Sequence, residues 1–142
     1  VILGIVGHEA AKFTAETESR ARAAIFAAIR RHGATRIVSG HCHLGGVDIW
    51  AEEIAAALRL PTTIYAPEVL RWGEPRGFRA RNLRIARGSD LVACVVVREL
   101  PPGYTGMRFA GCYHCGARNP EHVKSGGCWT AWQCGGREWI IL

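Results

Sequence analysis

The residues with the most chemistry to offer lie in the last third of the chain. Cys112-Tyr113-His114-Cys115 is followed by His122 and Cys128, a C-x2-C-x6-H-x5-C series. Two thiolates three residues apart can meet one ion from a single tight turn, and a Cys3His set suits tetrahedral Zn2+. The expected metal ligands are therefore Cys112, Cys115, His122 and Cys128, with Cys134 and His114 as alternatives for the fourth position. A closed shell of that kind leaves no site for water, so the zinc is read as structural. Binding it would also explain how a long Gly-rich segment is held in so small a chain. Of the remaining cysteines, Cys94 lies in an apolar run and reads as a core residue. The group His41-Cys42-His43 adjoins a glycine loop and could hold a second metal or line a pocket.

A second set of candidates is built from glycine. Three loops carry it: Gly4-Ile-Val-Gly7-His8, Gly40 to Gly46, and Lys124-Ser125-Gly126-Gly127. Glycine admits close backbone approach, and the N–H groups opening a helix attract anions. None of the three fits a dinucleotide or P-loop fingerprint, but together they suggest a phosphate-bearing ligand. Arg81-Asn82 could add bidentate phosphate contacts. Asp48 could meet a ribose hydroxyl or cap the helix beginning near it. Arg79 and Arg84 read as solvated helix positions.

These side chains need a scaffold. Residues 2–6 and 35–39 read as short strands, and residues 62–65 as a third. Asp90 to Val97 is the longest apolar run and reads as a central strand. Between them, residues 15–32, 47–59 and 77–88 have helical composition, bounded by Gly33, Pro61 and Gly88. Cys128 to Cys134 reads as a short helix and Trp139 to Leu142 as a final strand. Alternating elements with continuously apolar strands predict an α/β, Rossmann-like three-layer sandwich around a mostly parallel five-stranded sheet. The 142 residues fit one domain, 1–142, with the metal-binding insertion at about 105–128. On such sheets ligands sit beyond the carboxyl ends of the strands.

The ordered set resembles the SLOG superfamily of Rossmann-like domains, which includes DNA-processing protein A and the lonely-guy phosphoribohydrolases. The resemblance runs through Gly46-Val47-Asp48, Trp50-Ala51-Glu52-Glu53, Pro67, Arg81-Asn82, Asp90 and Gly126-Gly127-Cys128-Trp129-Thr130. It implies a nucleotide or nucleotide-derived ligand held by Gly7, His8, Gly45, Gly46, Asp48, Arg81, Asn82, Gly126, Gly127 and Thr130. The phosphoribohydrolases carry a Glu shortly after the final Thr. Here Ala131, Trp132 and Gln133 follow instead, which departs from that hydrolase pattern.

Composition frames the alternatives. A net charge of +6 and a pI near 9.3 suit an anionic partner, and nucleic acid is one such partner alongside a small nucleotide. A nucleotide-processing enzyme would need an acid–base group, for which His8, Asp48 and Glu52 are the candidates. Trp129, Trp132 and Trp139 are expected to pack the last helix and strand. No apolar run approaches the ~20 residues of a membrane span, and no signal-peptide pattern is read at the start. The expectation is a cytoplasmic protein with no membrane partner, in which self-association is open.

Overall fold

The computed structural model describes residues 1–108 and 122–142. Five strands, β1 (Ile2–Gly7), β2 (Arg36–Ser39), β3 (Thr62–Ile64), β4 (Leu91–Val96) and β5 (Gly136–Ile141), form one sheet in the order β3-β2-β1-β4-β5. Every pairing is parallel. The helices are α1 (Ala15–Arg31), α2 (Val47–Ala57), α3 (Phe78–Arg87) and α4 (Gly126–Gln133), with a 3-10 turn at Ala10–Lys12. The Rossmann-like α/β sandwich expected from the sequence is present, and the sheet is entirely parallel among the described residues.

The strands are buried on both sides, as their unbroken apolar character requires. Leu3, Ile5, Ile37, Ala93, Val95 and Val97 face α1 and α2, where Ile25, Ala28, Trp50 and Ala51 complete one core. The alternate residues Val6, Val38, Val92, Cys94 and Val96 face α3 and α4, with Ile85, Ala86, Cys128 and Ala131. Right-handed crossovers account for this division. The chain winds outward from β1 through β2 to β3 with its helices on one face. It then returns past β1 to β4 and β5 with its helices on the other.

Local signals fix the element ends. Thr14 and Thr17 form a reciprocal capping box at the start of α1: Thr14 Oγ1 accepts from the Thr17 N–H at 3.1 Å, and Thr17 Oγ1 from the Thr14 N–H at 2.8 Å. Glu16 and Glu18 in the first turn and Arg30 and Arg31 in the last complement the helix dipole. Asp90 joins the amino ends of β1 and β4, its Oδ2 accepting from the Ile2 N–H at 2.7 Å.

Three expectations require adjustment. Helix α4 begins at Gly126, not Cys128, because Ser125 caps it through a hydrogen bond from the Gly127 N–H at 3.0 Å. The end of the segment read as an insertion is thus the first turn of a core helix. Strand β5 starts at Gly136, extended by pairing with β4 from Leu91 onward. Trp132 lies exposed beneath the Arg137 guanidinium at 4.2 Å and packs no core.

Candidate functional site

The direction of winding reverses between β1 and β4, and the carboxyl ends of these strands open into a cavity of about 500 Å³. This is where an open parallel sheet leaves room for a ligand. Gly7 and His8 come from the end of β1. Cys42, His43 and Asp48 follow β2, Phe78, Arg81 and Asn82 belong to α3, and Ser125, Gly126 and Gly127 open α4. Of the residues expected to bind, Gly7, His8, Asp48, Arg81, Asn82, Gly126 and Gly127 line this cavity. The structure brings together segments that are far apart in sequence.

Two glycines make the geometry feasible. Gly7 lies so close to β4 that a Cβ there would meet the Val95 carbonyl oxygen at 2.1 Å. Gly46 has φ of 91° and would place a Cβ 2.4 Å from the His8 carbonyl oxygen. Gly46 and Gly45 lie outside the cavity lining, and Gly46 shapes the site by capping α2. Thr130 is buried in α4, where its Oγ1 hydrogen-bonds to the Gly126 carbonyl at 3.3 Å. It too acts behind the cavity.

His8 is buried, with a role in tying elements together. Its Nδ1 accepts from the Val97 N–H at 3.2 Å, which leaves the proton on Nε2 to be donated to the Lys124 carbonyl at 3.2 Å. Burial, reinforced by nearby Lys12, lowers its pKa to about 4. Both ring nitrogens are occupied and the ring is neutral at pH 7. These bonds make His8 a clamp between β1, β4 and the approach to α4.

Asp48 is placed differently. It lies in the first turn of α2, not at its N-cap, so the capping role considered for it is replaced by another. Its Oδ2 accepts from the Cys42 N–H at 3.2 Å, which fixes the His41–Gly46 loop. Among the described residues, no donor reaches Oδ1. Burial raises the Asp48 pKa to about 6, against the pull of Arg81. Burial in turn lowers the Arg81 pKa, opposed by Asp48. The Arg81 guanidinium donates through Nη1 to the Gly40 carbonyl and through Nε to Asn82 Oδ1 at 2.6 Å. A carboxylate and a guanidinium are thereby held at the wall of one cavity. Burial also raises the Cys42 thiol, which argues against a thiolate nucleophile there at neutral pH.

Several lining residues gave no readable signal in the sequence. Lys12, on the 3-10 turn, is only 4% exposed and bonds Glu9 Oε1 at 2.7 Å. The Tyr104 hydroxyl donates to the same oxygen at 2.7 Å. Burial pushes the Glu9 carboxyl up, but the hydrogen bonds from Lys12 and Tyr104 outweigh it and leave the pKa lowered. No periodicity marks a lone Lys in a short turn. Glu52, one of the candidate acid–base groups, is turned inward. It accepts from Ser39 Oγ at 2.7 Å and binds His41 Nδ1 at 2.8 Å, outside the cavity. Glu53 remains at the surface and pairs with Arg22 at 2.7 Å.

For the expected metal centre, Cys112, Cys115 and the alternative ligand His114 lie outside the described residues. His122 and Cys128 are adjacent, with Nε2 3.9 Å from Sγ. His122 Nδ1 donates to the Val123 carbonyl at 2.8 Å, which directs the lone pair of Nε2 toward the sulfur. Cys134 lies elsewhere, its thiol 3.6 Å from the Ser89 carbonyl oxygen. Cys94 is buried, as expected, with its sulfur 4.0 Å from that of Cys128. Among the described residues alone, no group of three or more potential ligands could hold a metal. Within the same residues, no helix is long and apolar enough to cross a membrane. No family model, curated protein or solved structure matches this chain.

Proposed function

We propose that the protein binds a nucleotide or nucleotide-derived ligand in the cavity at the carboxyl ends of β1, β2 and β4. The convergence of Asp48, Arg81 and the first turn of α4 on one cavity carries this reading. Arg81 supplies positive charge, and the Gly126 N–H, without an acceptor among the described residues, supplies a helix-terminal donor. The Oδ1 of Asp48, without a donor among the described residues, can accept from a ribose hydroxyl. A cavity of about 500 Å³ is within the range of small-ligand sites. A structural zinc on Cys112, Cys115, His122 and Cys128 would anchor the segment entering α4, beside the ligand.

The same contacts favour a small ligand over nucleic acid. Four arginines of the α3 region are engaged within the protein: Arg76 pairs with Glu68 at 2.9 Å, Arg79 covers Trp129, Arg81 holds Gly40, and Arg84 covers Tyr65. For hydrolysis, the departure after Thr130 and the doubly hydrogen-bonded, buried His8 speak against that alternative.

Thermal unfolding with nucleoside monophosphates, diphosphates and ADP-ribose tests the binding. A true ligand at about a hundredfold over its Kd stabilises by about 2.7 kcal/mol, which moves the midpoint by several degrees. No shift with any of them overturns the reading. Protein purified without chelator should carry about one equivalent of zinc, and less than about half an equivalent rejects the metal.

A further inference from the structure

The cavity has a second, chemically distinct wall. The loop between β3 and α3 carries Leu70 and Trp72 to its mouth, where Leu44, Phe78 and Met107 join them. Leu70 is 57% exposed and Trp72 44%. Clustered exposed apolar side chains around one opening call for an occupant.

This wall is preorganised. The loop folds back on itself through hydrogen bonds from the Glu68 and Val69 N–H groups to the Arg76 carbonyl, at 3.0 and 3.1 Å. The Phe78 N–H then reaches the Arg71 carbonyl at 2.9 Å, and the Arg79 N–H the Trp72 carbonyl at 3.1 Å. Gly77 is required there, since a Cβ would lie 2.0 Å from the Arg71 carbonyl oxygen. Trp72 is braced edge-on by Trp129 of α4, with ring centroids 5.1 Å apart and planes at 76°. Arg79 covers Trp129 in turn, at 5.6 Å. The backbone and both rings are fixed, yet the Trp72 ring remains substantially exposed.

From this geometry we infer that Trp72, with Leu70 beside it, is a stacking subsite for a planar heteroaromatic base; the Phe78 ring is already engaged by His43 and Arg81. The subsite defines the ligand class as one carrying a base together with its anionic group, favoured over a bare sugar phosphate. The inference rests on the nucleotide reading above and adds an orientation. The base lies against the loop before α3, and the anion lies toward Arg81 and the opening of α4. A rigid aromatic face loses little entropy on stacking, and any base offers a π-face to it.

Titration calorimetry with the nucleoside 5′-monophosphates and ribose 5-phosphate tests this on wild-type protein, Trp72→Ala and Trp72→Phe. The tightest monophosphate should bind at least about tenfold more strongly than ribose 5-phosphate. Trp72→Ala should abolish that difference while leaving ribose 5-phosphate affinity unchanged, and Trp72→Phe should restore most of it. Unchanged thermal midpoints in the unliganded variants verify that the fold is intact. Equal binding of the two ligand types in wild type overturns the stacking subsite alone. Equal losses for both in Trp72→Ala overturn it as well, since Trp72 would then act only on cavity shape. If no phosphate ligand binds at all, the nucleotide reading falls and the subsite with it.

Discussion

Where β1 meets the cavity, His8 is buried with both ring nitrogens hydrogen-bonded and its neutral form favoured. Across the cavity, at the start of α2, Asp48 is buried with one oxygen engaged and an ionised form that the fold disfavours. Both are polar side chains enclosed by protein. One is a completed connection between elements, whereas the other is a group held at a cost. Perturbed carboxylates in clefts are enriched at functional sites because a bound partner can repay what folding did not. The difference separates a completed structural connection from a group that the proposed ligand would engage, among residues the sequence offered alike as candidates.

The largest effect should come from removing the completed connection. His8→Ala leaves the Val97 N–H and the Lys124 carbonyl without their partner and opens space beside Phe13. A loss of about 3 kcal/mol is expected in urea unfolding. A loss below about 1 kcal/mol would show that His8 does not join these elements.

The two groups also oppose one another in acid. His8 has a lowered folded pKa, so its contribution is full above the unfolded value near 6.5 and is lost as pH falls toward about 4. Asp48 has a raised folded pKa, so its contribution is full below 3.8 and is lost as pH rises through about 6. The windows nearly coincide and the signs are opposite, so these two groups together give a flat stability profile across them. Asp48→Asn should unmask the His8 term: stability should then climb by roughly 3 kcal/mol from pH 4 to 6.5. A profile parallel to wild type would break the comparison.

The same variant has a neutral-pH consequence. Asn at position 48 can still accept from the Cys42 N–H without a buried charge. Free Asp48→Asn protein should be about 2 kcal/mol more stable than wild type at pH 7.5, by denaturant midpoint. Its affinity for the nucleotide should fall. Destabilisation together with unchanged affinity would place Asp48 with His8, as scaffold.

The smallest effect on the fold should come from Gly126→Ala. A Cβ at this position meets no atom within 4 Å, and alanine suits a helix better than glycine. Stability should change by less than about 1 kcal/mol. Nucleotide affinity should drop severalfold as the methyl group occupies the opening of α4, and undiminished affinity would remove Gly126 from the site.

Much of the scaffold is legible in the sequence because burial on both faces leaves a simple trace. The runs Ile2–Val6 and Asp90–Val97 have no polar interruption after their first residues, and α1 repeats its apolar residues at helical spacing. The glycine loops were also readable as positions of close approach. What could not be read depends on contacts between distant segments. Asp48 resembles a helix cap by position, and only the fold of the His41–Gly46 loop turns its oxygen toward the Cys42 amide. Lys12 and Glu52 follow no apolar period that would show their side chains turning inward. Trp72 lies among Gly, Pro and Arg, a composition that announces a loop and conceals that the loop is braced.

The clamp at His8 reaches 116 residues along the chain to the Lys124 carbonyl, and the backbone of Gly127 lies against that of Gly7. The cavity therefore has its floor made from the first strand and the last helix. During synthesis, β1 can pair with β2 as soon as both have emerged, but the cavity is not complete until α4 has followed. The proposed ligand would thus favour chains in which α4 has docked over those in which it has not.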